Sequence, residues 1–470
     1  MDARPWNVLF MIAHDLGRHL NCYGRKSVAS PHIDRLAAQG VRLSQAFCTA
    51  PQCSPSRATF FTGRYPHSNG VMGLTNFSWD LHLDERHLAG ILRDHGYHTA
   101  VIGHGLHETC RPDQMGFMQA VHPAMIGSRG VAVGGAADIA SAAVRFLVER
   151  RDAPQPFYAQ VQFFDPHRTP YGFNGTADDS LGVEVPPWLC DSLSAREDFA
   201  SFQGAIRGLD AAVGQVLAGL EEAGLSGRTL VVFTTDHGIP FPRAKCSLYD
   251  PGLEIAWIMR DPAGQWGRGR VIDALVSNLD FVPTLGELLQ LRLPANIQGR
   301  GFAALLNDQA YQPRAEVFGE MTYHDYCDPC RCLRTTRHKL IVNFTSAPSF
   351  MDPSQAWRPK AVTRHPANPA FAYHPAVELY DLVHDPWEYE NLAARAEAQP
   401  LRRQLLDGLC QWMRQTGDPL LNGIPTPRLY DLALAALRGQ EAPPEKGRTT
   451  PQSGLSEQLS AAIRISSAPV

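Results

Sequence analysis

The chain has 470 residues, 44% of them hydrophobic and 19% charged, with a formal charge of −4. That is an ordinary globular composition, long enough for one large α/β domain with a smaller companion. The slight acidity excludes a general nucleic-acid or anionic-membrane binder, which shows a basic balance or dense Lys/Arg runs, and no apolar run is long enough to span a bilayer.

The N-terminal stretch "MDARPWNVLFMIAHDLG" enters an apolar strand almost at once, without a basic leader region, a separate apolar segment or a small-residue cleavage site. This predicts a cytoplasmic protein, or a periplasmic or secreted one if a leader has been trimmed. The ten cysteines are scattered through the chain rather than packed into a short framework, which favours reduced thiols. Apolar, β-branched runs occur in this order: "NVLFMIA" from Asn7, "HTAVIG" from His98, "PFYAQVQFF" from Pro156, "TLVVFTT" from Thr229 and "EIAWIMR" from Glu254. Between them lie helical patterns such as Ile206, Leu209, Val213, Val216, Leu217 and Leu220 on one face. The alternation predicts a large, mostly parallel sheet sandwiched by helices. After about residue 320 the texture shifts to a small sheet with a packed helix. The expected division is 1–320 for the larger α/β domain, 321–421 for the smaller α+β subdomain and 422–470 for an extended or mobile, Pro- and Ser-rich tail.

The residues at the carboxyl end of each strand are the informative feature. The first strand ends in His14-Asp15, the second runs into His104 and His107, the third into Asp165-Pro166-His167, and the fourth into Asp236-His237. Open α/β sheets bind ligands outside the carboxyl ends of their strands, so these groups are expected to converge at one edge. Cys53, in "TAPQCSPSRATFFTGRYPH", can join them. Taken alone, a cysteine is most often an inert small apolar residue, and a thiolate nucleophile is a further reading. Pro55 is expected at the first helical position with Ser54 as cap, placing Cys53 at a helix N-terminus that favours an anionic oxygen.

"CSPSR" with its continuation "FTGRYPH" resembles the C-x-P-x-R signature of the type I sulfatases, members of the alkaline phosphatase superfamily. "DPHRTP" at Asp165, "DHG" at Asp236 and "ELYDLVHDPWEYENL" from Glu378 also match. "TTDHGIPFPRAKCSLYDPG" is similar to the heparan N-sulfatase branch and its microbial relatives, and the resemblance runs from about residue 6 to about residue 418. It implies the alkaline-phosphatase-like fold and hydrolysis of a sulfate ester or sulfamate, on a sulfated saccharide or glycosaminoglycan fragment. It also implies that a separate maturation enzyme oxidises Cys53 to formylglycine, whose hydrate attacks sulfur and then expels sulfate.

The same resemblance implies roles for particular residues. Asp15, Asp236 and the oxygens derived from Cys53 become metal ligands, with His14 and His237 standing where many relatives have Asp and Asn. The two imidazoles leave two readings open: both bind and move the preference from Ca²⁺, the family default, towards Mn²⁺, or His14 only orients Asp15. Arg57 becomes the residue that holds the hydrated aldehyde. His107, His167 and Lys245 become sulfate-binding and leaving-group residues; where the family carries a lysine, either His104 partly replaces it or the charge is missing. In "YHDYCDPCRC", His324 and Arg331 are expected to touch the sugar, while His324 with Cys327, Cys330 and Cys332 lacks the second ligand pair of a zinc finger. His19, His32 and His67 read as structural. Two rival functions stay open: a phosphonate monoester or phosphodiester hydrolase of the same superfamily, and a non-catalytic binder of sulfated ligands.

Overall fold

A computed structural model describes residues 5–103, 107–109, 111, 114–121, 135–169, 172–267, 269–347 and 373–440. Its main sheet has eight strands: β1 Asn7–Ala13, β2 Val41–Phe47, β3 His98–Gly103, β4 Gln119–Val121, β5 Phe157–Gln162, β6 Thr229–Thr235, β7 Trp257–Arg260 and β8 Arg270–Ser277. Their order is β4-β3-β5-β1-β6-β7-β2-β8, and all neighbours run parallel except β7, which is antiparallel to both β6 and β2. This is the mixed, mostly parallel sheet that the strand–helix alternation predicts.

Every residue of β1, β5 and β6 is buried, as expected of central parallel strands covered on both faces. Side chains alternate across the sheet, so β1 feeds two cores. Leu9, Met11 and Ala13 face Phe146 of the helix Ala136–Glu149 and Phe202, Ile206 and Leu209 of the helix Leu193–Glu222. Val8, Phe10 and Ile12 face Phe60 and Phe61 of helix α2, Cys53–Thr62. Phe10 alone lies edge-on to both rings, at 5.9 and 5.4 Å between centroids. Burying one such side chain contributes about 2–3 kcal/mol.

The second sheet is antiparallel, in the order β12-β11-β10-β9, from β9 Glu316–Tyr323, β10 Cys327–Thr335, β11 His338–Asn343 and β12 Val377–Asp381. Leu405, Leu409, Trp412 and Met413 of the helix Gln399–Thr416 cover one of its faces at Leu333, Leu340 and Leu379. Two sequence expectations change here. The small sheet begins at Glu316, just ahead of 321, because β9 is the edge that packs against the larger unit. The stretch from 422 onward, expected to be extended or mobile, contains a helix, Arg428–Leu437, and its continuation beyond 440 lies outside the described residues. Among the described residues the cysteines are all free thiols, and no helix is long and apolar enough to cross a membrane.

His19 sits 3% exposed between Phe199 and Phe202. Burial, with Arg25 pushing the same way, lowers its imidazole from 6.5 to about 3. The unfolded chain therefore takes up this proton first, so the stability His19 contributes is present above pH 6.5 and drains away as the pH falls towards 3. Denaturant unfolding is expected to show His19→Leu losing about 2 kcal/mol less than wild type between pH 6.5 and pH 5.

Candidate active site

Three elements deliver the centre of the site, each at one of its ends. β1 runs out at Ala13, and the next two residues are His14 and Asp15. Asp15 has a left-handed backbone (φ 55°), uncommon for a residue other than glycine and a mark of a site held by its surroundings. That turn aims its backbone N–H at Asp236 Oδ1, 2.9 Å away. β6 ends in Thr235, presenting Asp236 and His237, and Gly238 comes next because a Cβ there would lie 1.9 Å from the Pro251 carbonyl oxygen.

Cys53 is the first residue of α2, with Gln52 at the cap position and no side-chain cap. This corrects the expected placement, in which Ser54 caps and Pro55 opens the helix. Proline is tolerated anywhere in a first turn, because those N–H groups have no intrahelical acceptor to lose. The turn is anchored from below: Asn278 Nδ2 donates to Ser56 O (3.0 Å) and Ser56 Oγ (3.1 Å), and Ser56 in turn donates to the Asp236 carbonyl.

These elements bring His14, Asp15, Cys53, Asp236 and His237 into one buried group whose potential ligand atoms all lie within 4.8 Å of one another. His14 Nδ1 is 2.8 Å from Asp15 Oδ1 and 3.4 Å from Asp236 Oδ2. His237 Nε2 is 3.1 Å from Asp15 Oδ1 and makes no well-aligned hydrogen bond, although it is wholly buried. Two fully buried carboxylates side by side, an inward imidazole nitrogen and a thiol sulfur form a donor set that fits a divalent cation. Among the described residues this is the one such group, and the Cys327, Cys330 and Cys332 segment forms none.

The cations are interleaved with this group. Arg57, fully buried, donates from Nε to Asp236 Oδ2 (3.1 Å) and from Nη1 to Gln162 Oε1 (2.9 Å). Its Nη2 makes no hydrogen bond. Lys245 Nζ donates to Asp15 Oδ2 at 2.7 Å and lies 3.3 Å from His167 Nε2. Burial alone would raise the Asp15 carboxyl, yet Lys245 and His167 hold it well below its usual range. Burial likewise opposes a thiolate at Cys53, and Lys245 and His14 overcome it, lowering the thiol well below 9. His237, against its burial, is raised to about 10 by Asp236 and Asp15. His167 is lowered by burial, and its side chain is 20% exposed, which makes it the more open member of the group.

His107 also reaches the cluster, its ring 5.0 Å from that of His14. His104 lies outside the described residues. His324 is 8% exposed and does belong here: burial lowers its imidazole, but its contacts with Cys246, Asp325 and Cys53 raise it well above 6.5. Arg331 does not belong. It is fully buried in β10, with its guanidinium bound to Asp418 at 2.6 and 3.0 Å and to the Met321 carbonyl at 2.8 Å, so it cannot touch a sugar. The tip of "YHDYCDPCRC" faces the cluster while its strand end serves the packing of the small sheet.

Asp165 is likewise structural, accepting the backbone N–H of Ala136 (3.0 Å) at the start of a helix. His67 pairs with Glu320 at 2.9 Å, and His32 lies at the first turn of helix α1, Pro31–Gln39, tied to Asp210. Gln162, which holds Arg57, is a site residue that no sequence motif marks. Two glutamines in "YAQVQFF", an otherwise apolar central strand, were its signal.

Comparison with known proteins gives a consistent result. The family model described as Sulfatase matches residues 6–291, and a second, described as N-sulphoglucosamine sulphohydrolase, C-terminal, matches residues 242–355. Human N-sulphoglucosamine sulphohydrolase is 30% identical, with 89% of this chain and 91% of that one covered. An ulvan-active sulfatase of Formosa agariphila is 26% identical, covering 89% and 76%. A protein solved in complex with its substrate D-glucosamine-2-N,6-O-disulfate superposes with a TM-score of 0.68 at 20% identity, covering 88% and 99%. The phosphonate monoester hydrolase of Agrobacterium radiobacter superposes with a TM-score of 0.66 at 21% identity, covering 88% and 96%.

Proposed function

The chain belongs to the sulfatase family, and on that premise we propose that it removes sulfate, as an ester or sulfamate, from a sulfated saccharide. The observation that carries this reading is the convergence of Cys53 with Asp15, Asp236, Arg57 and Lys245 in one buried cluster. A glucosamine-type sugar is the favoured substrate, on the strength of the human relative's name and of the sulfated glucosamine bound to a structural neighbour.

Cys53, matured to formylglycine by a separate enzyme, would supply a hydrated aldehyde with one hydroxyl to attack sulfur and another to release sulfate. A divalent cation held by His14, Asp15, Asp236 and His237 would supply positive charge for that oxygen and for the sulfate. The two imidazoles favour Mn²⁺ or a similar ion over Ca²⁺. The chain's own residues do the rest. Arg57, fixed by Asp236 and Gln162, has Nη2 left to hold the residue-53 oxygen. Lys245 is kept protonated by Asp15, against its burial, so it can bind a sulfate oxygen and protonate the departing group. His167, 3.3 Å from it and partly open to solvent, can return a proton from water to Lys245 once the departing group has taken the first.

Parallel turnover of an aryl sulfate, an aryl phosphonate monoester and N-sulfated glucosamine tests the reading on metal-loaded protein from a host that matures the cysteine. The sulfates are expected to be favoured over the phosphonate in kcat/KM by about a hundredfold or more. A preference for the phosphonate would replace the sulfatase reading with that of a phosphonate hydrolase.

A further inference from the structure

A cavity of about 530 Å³, apart from the Cys53 cluster, is bounded by residues of both sheets and the loops beside them. None of its lining residues belongs to the Cys53 cluster. Its walls carry four arginines: Arg18 and Arg25 from the loop after β1, Arg42 from β2 and Arg334 from β10, with Tyr23 and Trp387 between them. The volume lies within the range of small-molecule pockets, roughly 300–1,000 Å³.

The charges in this cavity do not balance. Its two acids, Asp250 and Glu254, are already engaged, the first by Arg334 (2.9 Å) and Lys339, the second by Arg18. Among the described residues the guanidinium groups of Arg25 and Arg42 make no ion pair, although Glu184 acts on Arg25 from a distance. Three of the four guanidiniums are held against rings: Arg334 at 4.1 Å and Arg18 at 5.9 Å from the Phe47 centroid, and Arg42 at 4.8 Å from that of Tyr23. Stacked guanidiniums are pre-positioned and lose less freedom on gripping an oxyanion. Burial lowers Arg18 to about 10, and Arg334 and Arg25 push it the same way although Asp250 opposes them. Crowded like charges of this kind are what a bound anion relieves. The faces of the half-buried Tyr23 and Trp387 supply apolar surface for a ring beside that anion.

We propose that this cavity is a second binding site, taking a sulfate group carried on a saccharide, separate from the reaction centre. The oxyanion chemistry is set by the arginines, and the choice of a sulfated sugar rests on the function proposed above.

Calorimetric titration of the full chain carrying Cys53→Ala, which cannot turn substrate over, tests this with an N-sulfated glucosamine disaccharide. Adding Arg25→Ala and Arg42→Ala is expected to remove one binding site or weaken it about tenfold or more, as loss of charge-assisted hydrogen bonds does. The same pair of substitutions with Cys53 intact is expected to leave aryl sulfate turnover and the unfolding midpoint unchanged. Arg25→Gln alone provides a milder variant if the double one unfolds. Unchanged stoichiometry and affinity would overturn the proposal. Inorganic sulfate binding there as tightly as the disaccharide would overturn the saccharide assignment and leave a site for the free anion. A protein that hydrolyses no sulfate yet loses a site in the double variant would separate failure of the sulfatase reading from failure of this one.

Discussion

Cys53→Ala is expected to reduce aryl sulfate turnover by about a thousandfold or more, the scale on which enzymes lose a covalent nucleophile. The fold should tolerate the change. Cys53 is 5% exposed at the first turn of α2, and the turn is anchored by Ser56 and Asn278 rather than by the thiol. Unfolding midpoints of the two proteins are therefore expected to agree closely. Cys53→Ser sharpens the test. A serine oxygen can accept the sulfuryl group from an aryl sulfate, but it has no second hydroxyl with which to expel it. One equivalent of phenol per protein, and then arrest, is the expected time course. The wild-type peptide spanning Cys53, from a maturing host, should have lost its sulfur. Turnover by Cys53→Ala within tenfold of wild type would put the nucleophile elsewhere.

Arg331→Met is expected to destabilise the protein by about 3–5 kcal/mol while leaving KM for the same substrate unchanged. Arg331 is fully buried, bridging Asp418 beyond the packed helix and Glu320 in β9, with Glu320 3.5 Å away. His67, from the larger unit, reaches the same group at 2.9 Å from Glu320. Removing one partner of a buried charge network leaves the others desolvated and unpaired, and that cost exceeds the pair's own net worth. The double variant Arg331→Met with Asp418→Leu should accordingly recover part of the loss. Equilibrium unfolding in urea measures the first effect and steady-state kinetics the second. A raised KM at wild-type stability would return Arg331 to the sugar-binding role that the sequence suggested.

Much of the site was legible because its chemistry sits where strands end. His14-Asp15 and Asp236-His237 each come directly after an uninterrupted apolar run, and parallel topology carries such positions to one edge. Cys53 and Arg57 were legible through a short motif that folds as one helical turn. His324 was found by its neighbourhood in "YHDYCDPCRC", and the structure places it beside Cys53. Arg331, seven residues later, looked equivalent and is not. A β-bulge between Cys327 and Cys330, with the strand beyond it, turns Arg331 into the buried contacts of the small sheet.

Other features were beyond the reach of local pattern. Strand β2, "VRLSQAF", carries arginine, serine and glutamine and shows no continuous apolar run, because part of it lines the arginine-walled cavity. Helix Arg428–Leu437 was hidden by the Pro- and Ser-rich composition around it, though "RLYDLALAAL" itself is a good helix former.

Local pattern along the chain sets the strand–helix alternation, the edge at which ligands meet the sheet, and the acids, imidazoles, lysine and cysteine gathered there. Those features come from periodicity and chain order, which are local properties. The use made of each charge is settled instead by contacts between distant parts of the chain. Lys245 and Arg57 lie 230 and 179 residues from the carboxylates that hold them, and Arg331 lies 87 from Asp418. Whether a buried cation is a catalytic group, a positioning group or a bolt within the small sheet depends on which carboxylate it meets, and long-range packing sets that choice.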